Sequence, residues 1–152
     1  MSQASPPAVS ALPRRAFRIV LFGMPKAGKS SLLGALAQAA QTEESVLGAK
    51  LTDKSHGLTE LQRRLYDDRP RDTLEEVVPY AVTLEPFAPK HGGYAAPAAD
   101  AVLFDCDGRI ANELLTHRDA LTGDMANRAL AQAILSADTL IQIGRASCRE
   151  RV

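Results

Sequence analysis

The stretch GMPKAGKS, residues 23–30, constrains the fold of this chain more than any other part of its sequence. It follows the apolar run FRIVLF and precedes SLLGALAQAA. A short apolar run that ends in glycine is typical of a buried parallel strand, and the leucine spacing after Ser30 predicts an amphipathic helix. The stretch therefore lies where a strand turns into a helix. The expected inner face of that helix consists of Leu32, Leu33, Leu36 and Ala40.

This stretch, called the glycine loop below, fits the pattern G-x-x-x-x-G-K-[ST] of loops that bind polyphosphate. Glycine at both ends lets the backbone wrap closely around phosphate, and the following helix directs N–H groups towards it. Lys29 would neutralise β- and γ-phosphate oxygens, and the Ser30 hydroxyl would join the coordination shell of Mg²⁺. The alternative is a turn that caps the helix without a ligand. The expected nucleotide-binding residues of the loop are Gly23, Pro25, Lys26, Ala27, Gly28, Lys29, Ser30 and Ser31.

A second apolar run, AVLFD, ends in an acid, and residues 105–108 spell D-x-x-G. We call these four residues the D-x-x-G turn. An acid at the carboxyl end of a parallel strand can face Mg²⁺, which makes Asp105 a candidate metal ligand and Asp107 its alternative. Aspartate and glycine are also favoured in ordinary turns, so a strand-ending turn without a ligand is the competing interpretation.

Together the two motifs resemble those of P-loop GTPases of the Ras-like, translation-factor-related class. The resemblance implies an α/β fold: a partial P-loop NTPase domain, Rossmann-like and three-layered, with a mostly parallel sheet whose C-terminal strands are missing. It also implies Mg²⁺ as cofactor, GTP as ligand and substrate, and contact between the Gly108 backbone N–H and the γ-phosphate. Movement of the loops on hydrolysis would then change the affinity for an effector or regulatory protein.

The resemblance extends to one threonine and breaks at one arginine. Small GTPases carry a threonine just before their second strand that closes over Mg²⁺, and Thr73 in RDTLEEVVPYAV has the matching neighbourhood. It would complete a metal site with Ser30 and Asp105, unless it is only a turn or helix-capping residue. The other threonines left open are Thr83, Thr42, Thr52 and Thr59.

Many GTPases have glutamine directly after D-x-x-G to orient the attacking water, and this chain has Arg109 there. We therefore expect slow hydrolysis, with Lys29 and Arg109 as candidate catalytic residues. Arg109 either touches phosphate within its own chain or is an exposed loop residue. Pro25 and Lys26 also replace the small residues common in this loop, and the default expectation is that Lys26 faces solvent.

The guanine-specifying motif N/T-K-x-D is absent, which leaves other functions open. The chain could be an ATP-binding P-loop protein, a kinase or AAA-type ATPase, with Asp105 or Asp107 as a Walker-B acid. It could also be a non-catalytic nucleotide-binding scaffold inside a larger protein.

Both ends of the chain are expected to lie outside a truncated GTPase-like domain at residues 17–141. Residues 1–16 are rich in Ser, Pro and Ala without the apolar core of a signal peptide, and predict a disordered leader. The end IGRASCRERV matches, codon by codon, the conceptual translation of a common sequencing adapter. We therefore expect residues 142–152 to be a non-native tail, and the missing guanine motif to reflect truncation.

Between the motifs, GLTELQRRLYDD predicts a short helix with Leu58, Leu61 and Leu65 on one side. The stretch VVPYAVTLEPF is rich in strand formers, but Pro79 and Pro86 favour an edge or irregular strand. Residues 111–138 predict two helices divided by TGD, and TLI predicts the start of a third buried strand.

Amino-acid composition limits the classes of binding partner and the cellular compartment that we expect for this chain. Lys plus Arg and Asp plus Glu number 18 each, so no nucleic acid or acidic membrane partner is indicated. Only two cysteines occur, and no apolar run approaches the ~20 residues of a membrane helix, which favours the cytoplasm. The three histidines, His56, His91 and His117, lack metal-ligand spacing, so no zinc site is expected.

Overall fold

The computed structural model describes residues 15–67, 76–88, 93–94, 96–116 and 128–144. Within these ranges the chain forms five strands and five helices. In chain order they are β1 (Phe17–Phe22), α1 (Lys29–Thr42), α2 (Glu44–Leu47), β2 (Ala49–Asp53), α3 (Gly57–Asp67), β3 (Val77–Pro86), β4 (Ala99–Cys106), α4 (Gly108–Thr116), α5 (Ala129–Leu135) and β5 (Thr139–Gln142).

The strands form one mixed sheet in the order β2-β3-β4-β1-β5. β1 runs parallel to both of its neighbours, β4 and β5. β3 runs antiparallel to β2 and to β4. The expected parallel sheet is thus found only in the β4-β1-β5 core. β3 and β4 are antiparallel neighbours, so the chain reverses its direction between them, and no crossover connection is needed.

Helices cover both faces of the sheet, in three layers as predicted. α1 and α3 pack on one face, where Leu33, Leu58 and Leu61 meet Leu21 and Leu103 of the sheet. α4 and α5 pack on the other, and the core there includes Val20, Val102, Phe104, Ala111 and Leu130. Neighbouring residues of β1 and β4 point to opposite faces, which explains why residues 19–22 and 101–104 are apolar without interruption.

The predicted helix faces are largely correct. In α3, Leu58 and Leu61 are buried and Leu65 packs beside them, as the spacing indicated. In α1 the buried apolar line runs through Leu33, Ala37 and Ala40, whereas Leu32 is 49% exposed. Including Leu32 in the inner face was wrong, because its place in the 3.6-residue period lies beside the contact with the sheet rather than on it.

The prolines did not keep β3 at the edge of the sheet. β3 is a ten-residue strand, and its second half lies between β2 and β4. Pro79 belongs to the first half, while pairing with β2 begins only at Val82, and Pro86 is the last residue of the strand. Both prolines therefore occupy places where a missing N–H donor is tolerated.

Two strands differ from expectation. β2 was missed in a region that reads as polar and uneven, although its residues alternate between half-buried and exposed, as in a strand with one covered face. β5 is a strand as predicted, but the prediction that this strand is buried was wrong. All four residues are exposed, because β5 borders the sheet beside β1. Among the described residues, no helix has the length and apolarity needed to cross a membrane.

Candidate functional site

The two motifs meet at one edge of the sheet. β1 and β4 are parallel neighbours, with Leu21 aligned to Asp105, so their carboxyl ends lie side by side. The helices that follow them pack on opposite faces, α1 with one core and α4 with the other. In open α/β sheets such a divergence leaves a crevice at the carboxyl ends of the strands, and ligands commonly bind there.

The glycine loop leaves β1 through a turn in which the Ala27 N–H donates to the Met24 carbonyl at 3.2 Å. Lys26 and Gly28 both have left-handed backbone, with φ of 59° and 94°. Glycine adopts this conformation more readily than residues with a side chain, so Gly28 is favoured by its dihedral angles rather than by space. Lys26 is exposed, as is Ser31 in the first turn of α1.

At Gly23 the structural constraint is space rather than dihedral angle. A side chain on Gly23 would collide with the backbone carbonyl of Ile143. Ile143 follows β5, and its N–H donates to the Phe22 carbonyl at 2.8 Å. The first glycine thus lets the backbone after β5 pass directly over the start of the loop.

The Lys29 side chain is buried and folds back onto the loop. Its Nζ donates to the carbonyl oxygens of Gly23 at 2.8 Å and Met24 at 2.9 Å. A buried ammonium group needs such partners because burial without them is costly. The charge is therefore held on the glycine loop itself, where it would attract a phosphate group.

Ser30 and Asp105 lie in direct contact. The Ser30 hydroxyl donates to Asp105 Oδ2 at 2.5 Å, the short distance expected when the acceptor is a carboxylate. Ser30 belongs to the first turn of α1, and Asp105 is buried near the end of β4. The structure thus brings together two of the three expected Mg²⁺ ligands.

The D-x-x-G turn packs directly on the glycine loop. A Cβ atom on Gly108 would collide with the backbone of Met24 and Pro25. Because the obstacle is backbone, no side-chain rotation would relieve the collision. Glycine at 108 therefore allows the start of α4 to touch the loop after β1.

The second acid, Asp107, forms an ion pair with Arg109. Arg109 Nη2 and Nε donate to Asp107 Oδ2 at 2.7 and 3.0 Å, and the Arg109 backbone N–H donates to Oδ1 at 2.9 Å. Hydrogen bonding to the Arg109 side chain holds the pKa of the Asp107 carboxyl below its usual value. The Arg109 side chain is 62% exposed, so this arginine is both solvent-accessible and ion-paired. Asp105 therefore faces Ser30, whereas Asp107 neutralises Arg109.

Thr73 lies outside the described residues. Of the threonines left open, Thr83 donates to Asp100 at 2.8 Å, and it aligns with Thr52 on β2. Asp100 lies near the start of β4, at the opposite end of that strand from Asp105. The other two donate elsewhere, Thr42 to the Gln38 carbonyl and Thr59 to Asp53.

Sequence reasoning missed two polar residues beside the site. The Glu76 carbonyl accepts a hydrogen bond of 3.1 Å from the Asp107 N–H, and the Glu76 carboxylate is paired with Arg128. No local pattern points to either residue, because their roles depend on segments far apart in the chain.

Comparison with protein-family models, curated proteins and solved structures found no match. The function is therefore inferred from the residues and their geometry. Within the described ranges, no group of three or more His, Cys, Asp or Glu side chains converges on one point. An all-protein cage of such ligands is thus not seen there.

Proposed function

We propose that this chain contains a GTP-binding switch domain that hydrolyses GTP slowly with Mg²⁺ and thereby regulates a protein partner. One observation carries the proposal: both motifs meet at the carboxyl ends of β1 and β4. There Ser30 bonds Asp105, and Gly108 packs on Pro25. Neither contact follows from a glycine-rich turn that merely caps a helix.

In this proposal the glycine loop cradles the phosphates through its backbone N–H groups and the start of α1. Lys29, already held on the loop, exchanges a carbonyl partner for phosphate oxygen. The hydroxyl of Ser30 and the carboxylate of Asp105 are hard oxygen donors in contact, and they suit Mg²⁺, with Thr73 as a further ligand. When bound, Mg²⁺ would neutralise charge on the β- and γ-phosphates.

The D-x-x-G turn would sense the γ-phosphate. The Gly108 N–H begins α4 beside Pro25, so contact with the γ-phosphate would fix the start of that helix. Loss of the phosphate would release it, and a partner that binds α4 would respond. Arg109, one residue later, would either stabilise charge on the phosphate after leaving Asp107 or remain paired, and the second case gives slow hydrolysis.

Nucleotide competition on the full 152-residue chain tests this proposal. A fluorescent GTP analogue would be titrated with Mg²⁺ or with EDTA, and then displaced by GTP, GDP or ATP. We expect Mg²⁺-dependent binding, with GTP and ATP displacing the analogue at similar concentrations, because these 152 residues lack the N/T-K-x-D motif that would select guanine. Stronger displacement by ATP would instead favour an ATP-binding protein with Asp105 as its Walker-B acid. Absence of binding by any of these nucleotides would refute both functions.

Turnover separates a switch from a scaffold. GTP hydrolysis would be measured as phosphate release for the parent chain and for Lys29→Met. Lys50→Ala is the control, because the Lys50 side chain is exposed on β2. A slow rate that Lys29→Met abolishes and Lys50→Ala preserves supports the proposal. Nucleotide binding with no turnover in any of the three proteins would identify a non-catalytic scaffold.

A further inference from the structure

Arg128, the residue that precedes α5, joins two segments that are distant in sequence. Its Nε donates to Glu76 Oε1 at 3.1 Å, and its Nη1 donates to Glu113 Oε2 at 2.8 Å. Glu76 directly precedes β3, and Glu113 lies on α4. One guanidinium group therefore bridges the entry of β3 and the helix after the D-x-x-G turn.

Both ends of this bridge lead to the D-x-x-G turn. The Glu76 carbonyl accepts the Asp107 N–H at 3.1 Å, so the position of Glu76 sets that of the Asp107 backbone. Glu113 lies on the helix that begins at Gly108, the residue packed against Pro25. Arg128 therefore restrains the turn from the β3 side and from the α4 side.

The half of the bridge formed with Glu76 is better shielded from water than the half formed with Glu113. The side chains of Arg128 and Glu76 are only 29% and 26% exposed, so water screens their pairing less than it screens a surface pair. Glu76 Oε1 also accepts the Leu130 N–H at 3.4 Å, which ties the same carboxylate to α5. The guanidinium of Arg128 is charged at neutral pH like that of any arginine, and hydrogen bonding to Glu113 raises its pKa further.

We propose that Arg128 is a positioning residue for recognition of the γ-phosphate. By pairing with Glu76 and Glu113 together, it holds Asp107 and Gly108 in the arrangement that would distinguish a nucleoside triphosphate from a diphosphate. This inference rests on the proposed function for its ligand, while the positioning itself is measurable without nucleotide. In this scheme Arg128 contacts no phosphate and acts through its two carboxylate partners.

The first experiment measures backbone amide hydrogen exchange at Asp107 and Gly108 in nucleotide-free protein. The parent chain would be compared with Arg128→Ala and with Glu113→Gln, a milder change at an exposed position. Arg63→Ala is the matched control, because Arg63 pairs with Glu60 on α3, an element apart from the turn. We expect exchange about five- to tenfold faster in Arg128→Ala, which breaks both pairs, about two- to fivefold faster in Glu113→Gln, which breaks one, and unchanged in the control. Equal rates in the parent and both bridge variants would overturn the inference.

The second experiment measures discrimination between GTP and GDP with the same proteins. We expect Arg128→Ala to lower GTP affinity about five- to tenfold with GDP affinity unchanged, because GDP lacks the phosphate that the turn would contact. Arg128→Lys should recover part of the loss, since lysine keeps the positive charge but cannot donate hydrogen bonds from the two sides of a planar guanidinium group. A parallel loss for GTP and GDP would show a general structural role and overturn the inference. If the parent binds no nucleotide, the proposed function fails, while hydrogen exchange still decides whether Arg128 positions the turn.

Discussion

The Ser30 hydroxyl donates a 2.5 Å hydrogen bond to Asp105 Oδ2, across 75 positions of sequence. This bond joins the first turn of α1 to the end of β4, and so joins the two motifs that sequence alone could only place on separate strands. Its two oxygens form a small, charged and partly buried site beside a loop that carries a buried lysine.

Ser30→Ala and Asp105→Asn should each weaken Mg²⁺-dependent nucleotide binding. Each change removes one oxygen donor, and the expected loss is at least about tenfold, since loss of groups that merely support metal ligands costs that much. Affinity in EDTA should change little. The measurement is a nucleotide titration with and without Mg²⁺. Ser136→Ala, at an exposed serine bonded to its own helix, is the control, and an intact Mg²⁺ response in both site variants would contradict the prediction.

Lys29→Met should abolish most of the triphosphate affinity while the fold persists. A charged hydrogen bond contributes about 1.5–3 kcal/mol, so binding should weaken roughly 10- to 100-fold. Methionine fills a similar volume and removes a buried charge, which limits the loss of stability. Calorimetric titration and a thermal melt measure the two effects. Unchanged affinity in a folded Lys29→Met variant would remove Lys29 from the binding site.

Gly108→Ala should destabilise the chain by about 1–3 kcal/mol, the usual cost of forcing an extra methyl group into a packed region. The new Cβ would meet the backbone of Pro25, which has no rotamer to yield. The start of α4 should then shift away from the glycine loop and weaken nucleotide binding as well. Denaturant unfolding measures the cost. Gly144→Ala is the matched control, because a Cβ there meets nothing within 4 Å, and equal stabilities of the two variants would be evidence against the close packing.

The Cys106 thiol should make the free energy of unfolding decrease at alkaline pH. Burial raises the pKa of its thiol from 9.0 to about 11, and its Sγ contacts the Leu21 carbonyl at 3.1 Å. Below pH 9 the thiol is protonated in both folded and unfolded chains. Between pH 9 and 11 only the unfolded chain loses the proton, so the parent should lose roughly 2–3 kcal/mol relative to Cys106→Ala.

The check is urea unfolding of both proteins in a Cys148→Ser background, at pH 8 and at pH 11. Iodoacetamide should also modify Cys106 far more slowly in the folded chain than in urea at pH 8, because only the thiolate reacts. A stability difference between the two proteins that does not change with pH would show that the thiol titrates normally.

The sequence predicts the parts of this fold that depend on neighbouring residues. Apolar runs and local turn chemistry were enough to predict the glycine loop, its flanking strand and helix, and β4 with an acid near its end. The alternating pattern of β2 is also present in the sequence, but it spans only five residues in a polar region and is too short to predict a strand.

What could not be predicted depends on pairing between distant segments. Pro79 is tolerated because pairing of β3 with β2 starts at Val82, and no local pattern gives that register. The exposure of β5 depends on its place beside β1. The sequence also left open whether Asp105 or Asp107 faces Ser30, and only the approach of α1 to β4 decides for Asp105. The Arg128 bridge forms only when β3, α4 and α5 have come together.

The pairing of β1 also has a consequence for how the chain acquires its site during synthesis. β1 lies between β4 and β5, and its register joins Phe22 to Gln142. The glycine loop therefore leaves the ribosome early, but its supporting strand has no partner until much later segments have been made. Closing such long loops is slow and leaves an apolar strand exposed meanwhile. Nucleotide capture is thus expected to be a late event of folding, and a nascent chain released before β4 should bind none.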